Sequence, residues 1–167
     1  MIFLTVGTTK FTFNRLIKAV ARILLDMDSD EKLVAQIGPN NYRFKYKNKE
    51  TFSEAAFDKM VKYLSRARVV IGHGGFGTSL LGITYSKNKP LVVPRSKEFG
   101  EHVDDHQIYL AKYLAEKELV KVALPNDDLE STLLDYLAFP PKNNSKKLYT
   151  NKKMLIENLT KYTERIK

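Results

Sequence analysis

Short apolar runs alternate with amphipathic stretches along this chain. The runs at 2–6, 69–71 and 91–93 are continuous and rich in aliphatic residues, which is typical of strands buried on both faces. Between residues 13 and 27, apolar side chains recur instead at the helical period, at Leu16, Ile17, Val20, Ile23 and Leu24.

The complete pattern predicts strands at 2–6, 32–37, 69–71, 91–93 and 119–124. It predicts helices at 13–27, 54–66, 103–117, 129–139 and 146–166, with one more helix opening at Thr78 and Ser79. A further short strand is expected at 44–46. Ser53 is the expected N-cap of the helix at 54–66, whose buried face should carry Phe57, Met60, Val61 and Leu64.

Because strands and helices alternate in order, the predicted fold class is α/β, with a doubly wound, mostly parallel, Rossmann-like sheet. Ligands of such sheets bind beyond the carboxyl ends of the strands. Three segments directly follow predicted strands: the turn at 7–9, the glycine cluster at 72–77 and the loop that begins around Arg95. We expect these segments to line one cleft.

The length of 167 residues and the 43% hydrophobic content suit one globular domain, which we place at 1–141. A basic helical tail at 142–167 follows and carries +6 of the net charge of +9. Such a tail is typical of docking to an anionic membrane, an acidic partner or nucleic acid, and equally of a solvated helix. The apolar start of the chain is too short for a signal peptide, and no apolar run reaches the ~18 residues of a membrane span. The absence of cysteine excludes disulfides and thiolate chemistry.

The glycine cluster stands between a strand and a helix, as a phosphate-binding turn does. Gly72, Gly74 and Gly77 match the pattern G-x-G-x-x-G, and the free N–H groups of the helix start favour an anion. The same pattern leaves an NADP-dependent oxidoreductase open as an alternative, with Arg95 on the 2′-phosphate. Against it, the cluster stands in mid-chain and the usual acidic residue after the next strand is absent. Glycines that serve only a tight turn are the third interpretation.

The three histidines offer further chemistry. His73 lies inside the glycine turn, where it can donate to a phosphate or oxyanion, or bond a neighbouring carbonyl. His102 and His106 have the spacing of a zinc site, but His102 is expected to precede the helix and no third ligand is clearly placed. We therefore expect no metal. Ser79 lies outside G-x-S-x-G, which argues against a hydrolase, and no RNA-binding module accompanies the tail, so nucleic acid is not expected as a partner.

Five segments together resemble the Alg13 family, which belongs with the C-terminal domain of family 28 glycosyltransferases. They are MIFLTVGTT at 1–9, QIG at 36–38, VIGHGG at 70–75, KPLVVPR at 89–95 and EHVDDHQ at 101–107. The motifs follow in the family's order over residues 1–122. Within the family they look most like the bacterial PssE-type subunits of exopolysaccharide and capsule synthesis.

The resemblance implies the C-terminal half of a GT-B glycosyltransferase that binds a UDP-sugar donor and needs no cofactor. A membrane-anchored subunit of the Alg14 or PssD type would supply the acceptor domain. The pair would transfer a hexosyl group to a polyprenyl-pyrophosphate-linked acceptor, and this chain would lie peripherally at the cytoplasmic face of the membrane. The implied catalytic residue is His73, beside the diphosphate. The implied substrate-binding residues are Gly7, Thr8, Gly74, Gly75, Thr78, Ser79, Arg95, Asp105 and Gln107.

Two of these implied roles are specific. Asp105 and Gln107 correspond to an acidic-glutamine pair that contacts the transferred sugar, and Arg95 is expected near the phosphates or at the subunit interface. One position departs from the family: many relatives carry a ribose-binding glutamate where this chain has Leu81. Because leucine accepts no hydrogen bond, a non-catalytic accessory subunit that stabilises or recruits a membrane glycosyltransferase stays open as the alternative.

Overall fold

The computed structural model describes residues 1–144. The predicted helix at 146–166 and nearly all of the predicted tail lie outside the described residues. The strands are β1 Ile2–Thr5, β2 Leu33–Gln36, β3 Lys49–Phe52, β4 Val69–His73, β5 Leu91–Val93 and β6 Lys121–Val122. The helices are α1 Asn14–Asp26, α2 Phe57–Arg66, α3 Phe76–Tyr85, α4 His106–Glu116 and α5 Leu129–Ala138.

The strands form one parallel sheet in the order β3-β2-β1-β4-β5-β6, which confirms the predicted fold class. The chain begins near the centre of the sheet, builds outward to β3, and then returns to add β4 on the other side of β1. Thr5 lies opposite Gln36 on β2 and opposite Gly72 on β4, so these three strands end level with one another. The connection reverses between β1 and β4, and this is the point where doubly wound sheets open a crevice for ligands.

The two faces of the sheet bury separate apolar clusters. Along β1, Ile2 and Leu4 pack with α1 and α5 on one face, whereas Phe3 packs with α2 on the other. This alternation follows from the two-residue period of a strand. The predicted apolar stripe of α1 is buried in full, so the helical period correctly identified its inner face.

Predictions based on local apolar pattern failed at one edge of the sheet. Residues 44–46 form no strand; Phe44 and Tyr46 pack into the core from an irregular segment, and the Tyr46 hydroxyl donates to the carbonyl of Glu31 at 2.6 Å. The strand of this region is β3, whose polar sequence KETF gave no strand signal. As an edge strand with an exposed alternating pattern, β3 needs little apolar surface.

Helix α2 also begins later than predicted. Its N-cap is Ala56, not Ser53, and Phe57 is 59% exposed, whereas Met60 and Leu64 are buried as expected. On the other side of the chain reversal, β4 continues through His73 and α3 begins at Phe76. The turn itself therefore consists of Gly74 and Gly75 only.

The packed chain continues past residue 141, where we placed the domain boundary. The carbonyl of Pro141 accepts from the Lys89 N–H at 2.7 Å. The side chain of Asn143 donates to the carbonyls of Ile83 at 2.8 Å and Ser86 at 3.0 Å. These bonds attach the segment to the end of α3. Among residues 1–144, no helix combines the length and hydropathy needed to cross a bilayer.

Candidate functional site

Three loops meet at the crevice between β1 and β4. The loop after β1 turns at Gly7, whose φ of +73° favours glycine. A Cβ on Gly38, in the loop after β2, would lie 2.3 Å from the Gly7 carbonyl oxygen. The loops after β1 and β2 therefore press directly against each other, and this contact fixes the position of one wall of the crevice.

The His73 ring forms the floor between the two glycine-containing walls. His73 ends β4 and is only 6% exposed. A Cβ on Gly7 would lie 2.6 Å from its Nε2 atom, and a Cβ on Gly75 would lie 2.4 Å from the same atom. The structure thus places the ring beneath both loops. The position of the His73 ring therefore requires glycine at 7 and 75, whether or not a ligand also needs the space.

Burial lowers the pKa of His73 to about 4, and the positive charge of Arg95 acts in the same direction. The imidazole is therefore neutral at neutral pH. In that form it carries one N–H donor and one acceptor nitrogen. It can stabilise an anion above the floor as a hydrogen-bond donor, but not as a cation.

Helix α3 points its N-terminus into the same crevice. Its N-cap is Gly75, which has extended backbone and supplies no capping side chain. The first N–H groups of the helix therefore lack a side-chain acceptor, and together with the helix dipole they favour an anion. Thr78 and Ser79 lie in this first turn. The hydroxyl of Ser79 is buried and has no hydrogen-bond partner among the described residues, while a Cβ on Gly72 would lie 3.5 Å from the Thr78 methyl group.

The glycine pattern does not have the packing of a dinucleotide fingerprint. The last glycine of such a fingerprint allows a helix to approach a strand closely. Here a Cβ on Gly77 would meet nothing within 4 Å. Gly72 lies within β4, so it is not part of the turn. The glycine argument for an NADP enzyme thereby loses its structural support.

Arg95 is fully buried and does not face the crevice. Its Nη1 atom donates to the carbonyls of Phe11 and Thr12, both at 3.0 Å, and of Glu101 at 3.2 Å. Its Nη2 atom donates to the carbonyl of Val6 at 2.8 Å. Burial lowers the pKa of this guanidinium to about 10, which leaves it charged at neutral pH. The expected contact with phosphates or with a partner is therefore corrected: Arg95 joins the loop after β1 to the loop after β5.

A second arginine reinforces the same junction and was not anticipated from the sequence. Arg15 on α1 forms a two-pronged ion pair with the buried carboxylate of Glu101, with both contacts at 3.1 Å. Glu101 also accepts from the Ser96 N–H at 3.2 Å. No local pattern marks this pair, because the two residues lie far apart in sequence and meet only in the folded chain.

The sequence-predicted sugar-binding pair lies at the start of α4. Gln107 is buried, and its Oε1 atom accepts from the Arg95 N–H at 3.2 Å. A Cβ on Gly74 would lie 2.9 Å from the Cβ of Gln107, so α4 directly adjoins the glycine turn. Asp105 accepts from the Lys97 N–H at 2.8 Å and remains partly exposed. The structure thus gathers one set of predicted site residues around the crevice: Gly7, His73, Gly74, Gly75 and Gln107.

The remaining predicted positions lie around this group. Thr8 is exposed on the loop after β1. Leu81 packs against the cluster on the α2 face together with Phe52 and Tyr63. A cavity of about 420 Å³ lies elsewhere, between α1 and the start of α5, where Arg15, Arg22 and Glu130 are among its lining residues.

Comparison with known sequences identifies a family and partial relatives. The family model described as glycosyltransferase family 28 C-terminal domain matches residues 1–161. Similar proteins include the UDP-N-acetylglucosamine--N-acetylmuramyl-(pentapeptide) pyrophosphoryl-undecaprenol N-acetylglucosamine transferases of Wolbachia sp. subsp. Drosophila simulans (strain wRi) and Wolbachia pipientis wMel. Each is 30% identical over 111 residues, which cover 65% of this chain and 31% of the relative. The match thus spans about a third of those relatives' length.

Solved structures share the fold at low identity. The glycotransferase of kitacinnamycin superposes with a TM-score of 0.60 at 16% identity, over 81% of this chain and 34% of that one. The glycosyltransferase SnogD from Streptomyces nogalater superposes with a TM-score of 0.50 at 17% identity, over 75% of this chain and 31% of that one. At such identities the likeness establishes the Rossmann-like architecture alone.

Proposed function

The chain belongs to the glycosyltransferase family 28 C-terminal domain family, and on that premise we propose that it is the donor-binding part of a UDP-sugar glycosyltransferase. The observation that carries the proposal is the crevice between β1 and β4. There an uncapped helix start and glycine backbone adjoin a neutral, buried histidine. Backbone N–H groups of this kind suit the diphosphate of a nucleotide sugar.

We propose a place for each part of the donor. The diphosphate would lie over Gly75 and the first turn of α3, with His73 donating one hydrogen bond to charge that develops on the departing UDP. Asp105 and Gln107 at the start of α4 would receive the sugar, because carboxylate and amide groups pair well with hydroxyls. Arg95 would act as a positioning residue that holds the surrounding loops.

The names of the relatives support a proposal for the donor and acceptor classes. The Wolbachia enzymes are named for transfer of N-acetylglucosamine from UDP to a pyrophosphoryl-undecaprenol compound. We propose UDP-N-acetylglucosamine or UDP-galactose as the donor and a polyprenyl-pyrophosphate-linked acceptor.

The acceptor domain would come from a partner. We propose an Alg13-like or PssE-type role, in which an Alg14- or PssD-like membrane subunit supplies that domain and the general base. This chain would then lie at the cytoplasmic face of the membrane through that partner.

One observation favours the accessory alternative. Leu81 is packed into an apolar cluster, so this position offers no hydrogen bond to a ribose. An accessory subunit would stabilise or recruit the membrane transferase without binding donor itself.

Binding of UDP and of a UDP-sugar to the isolated chain, measured by calorimetry, tests the proposal. Asp105→Asn keeps an oxygen that can accept from Lys97 but loses the carboxylate charge. We expect this variant to bind UDP as wild type does and to bind UDP-N-acetylglucosamine or UDP-galactose about tenfold more weakly. Asp58→Asn on the exposed surface of α2 is the matched control and should change neither affinity.

Each alternative predicts a different result. The accessory role predicts that the isolated chain binds no UDP compound, and that its complex with the membrane transferase keeps full activity with Asp105→Asn. An oxidoreductase predicts binding of NADP and no response to UDP. Donor binding that appears only when the partner is present would retain the proposed function and place part of the donor site on that partner.

A further inference from the structure

Two histidines and an aspartate converge on the loop before α4. Each of His102, Asp104 and His106 offers one ligand atom, and these atoms all lie within 4.8 Å of one another. The His102 Nδ1 atom is 3.3 Å from Asp104 Oδ1, and His106 Nδ1 contacts the same oxygen. The sequence argued against a metal because no third ligand was clearly placed, whereas the fold brings Asp104 between the two imidazoles.

One separation in this cluster suits a tetrahedral ion, whereas His106 would have to turn its Nδ1 atom away from Asp104, which it contacts directly. Zinc bonds of about 2.0 Å to nitrogen and oxygen place neighbouring ligand atoms about 3.3 Å apart, which is the separation of His102 Nδ1 from Asp104. The two imidazole centroids are 4.7 Å apart and nearly perpendicular, so both rings can turn a nitrogen toward one point. Three protein ligands would leave a fourth position for water.

A second observation distinguishes this group from an ordinary exposed cluster. The Nδ1 atom of His102 is buried and has no hydrogen-bond partner among the described residues, although it lies beside the Asp104 carboxylate. A buried polar atom without a partner costs free energy, and a metal bond would remove that cost.

We propose that His102, Asp104 and His106 bind one divalent transition metal ion of the zinc type. Imidazole and carboxylate ligands suit Zn²⁺ and Co²⁺ better than Mg²⁺ or Ca²⁺, which prefer oxygen alone. The ion would join the loop after β5 to the first residue of α4. Asp105 lies within the segment that this ion would close, and Gln107 follows it directly, so the ion would stiffen the backbone that carries both residues. This role is structural, since the ion itself would take no part in the transfer chemistry.

Cobalt titration of the untagged, metal-free full-length chain tests the site, with visible absorption as the readout. We expect one Co²⁺ per chain, with the d–d absorption of nitrogen-coordinated cobalt, and competition by Zn²⁺. Asp104→Asn and His106→Gln should each weaken Co²⁺ binding at least about tenfold. Loss of a residue that only hydrogen-bonds to a metal ligand already weakens metal binding by about this factor, and loss of a ligand should cost at least as much. Both side chains are 58% exposed, so the variants should remain folded.

Glu98→Gln is the matched control, because Glu98 is an exposed carboxylate on the same loop outside the cluster. It should bind Co²⁺ as wild type does. Zn²⁺ should also slow amide exchange over residues 101–107 in wild type and in Glu98→Gln, but not in Asp104→Asn. Binding without the d–d absorption, or equal affinity in wild type and both ligand variants, would overturn the proposal. Neither readout requires a sugar donor, so this result is independent of the proposed activity.

Discussion

At the scale of single residues, His73 determines which side chains fit around the crevice and how its floor is charged. Its ring touches the backbone of two glycine turns, so any added side chain at Gly7 or Gly75 would collide with it. Burial beside the charged Arg95 keeps the ring neutral. The positive electrostatic potential in the crevice therefore comes from the N-terminus of α3, and His73 adds a hydrogen-bond donor.

The same burial predicts a pH-dependent stability. The pKa of His73 is about 4 in the folded chain, against 6.5 for an unperturbed histidine. Between these values the unfolded chain binds a proton that the folded chain rejects, so the free energy of unfolding should fall as the pH falls through this range. The expected loss from neutral pH to about pH 5 is about 2 kcal/mol, measured by urea unfolding.

His73→Gln should abolish this part of the pH dependence, whatever its effect on stability at neutral pH. His106→Gln is the control and should retain it, because His106 is exposed. An unchanged pH dependence in His73→Gln would show that another group is responsible.

At the scale of elements, the loop after β5 holds the crevice together. Arg95 binds four carbonyl oxygens from the loop after β1 and from its own loop, and Arg15 adds an ion pair from α1 to Glu101. Charged donors to carbonyls make strong hydrogen bonds. The walls of the crevice are therefore fixed to each other through buried arginine and glutamate side chains.

Replacement of the buried arginine should be costly. We expect Arg95→Met to lower the free energy of unfolding by at least about 3 kcal/mol, because it leaves buried carbonyl groups without donors. Urea unfolding measures the loss. Arg43→Met is the control, since Arg43 is exposed, and should stay within about 0.5 kcal/mol of wild type. A loss of similar size in both variants would contradict the joining role of Arg95.

At the scale of the whole molecule, the order of the strands decides where a ligand can bind. At the reversal between β1 and β4, the loops that follow these two strands lead to helices on opposite faces of the sheet. This divergence leaves a crevice between the two loops. The chain after α5 returns to this body through residues 141–143, which bond to the loop after α3 and to its last turn. The stable unit therefore includes Asn143.

Two truncations test this boundary. A chain that ends after Pro141 should be less stable than one that ends after Asn144 by about 1–2 kcal/mol, because it lacks the Asn143 side chain. Asn143→Ala in the longer chain should reproduce most of that difference in thermal or urea unfolding. Equal stability of the two truncated chains would place the end of the packed unit earlier. The cut after Asn144 is accordingly the appropriate one for testing whether the basic tail docks to a membrane or partner.

Local pattern predicted the central elements well for physical reasons. Strands β1, β4 and β5 are buried on both faces, so they must be continuously apolar, and α1 must carry one apolar stripe. The same reasoning failed where buried residues lie outside strands, or where a strand is largely exposed. Phe44 and Tyr46 are buried without forming a strand, and β3 forms a strand with little burial.

The sequence by itself determined the parallel α/β fold, the glycine turn after β4 and the placement of candidate groups at the carboxyl ends of strands. These follow from hydrophobic period and from chain order, which are local properties. Only the tertiary structure decided that His73 is buried and neutral and that Arg95 binds carbonyls. The partners of a side chain, and its distance from water, depend on segments far apart in sequence, so they exist only once the chain has folded.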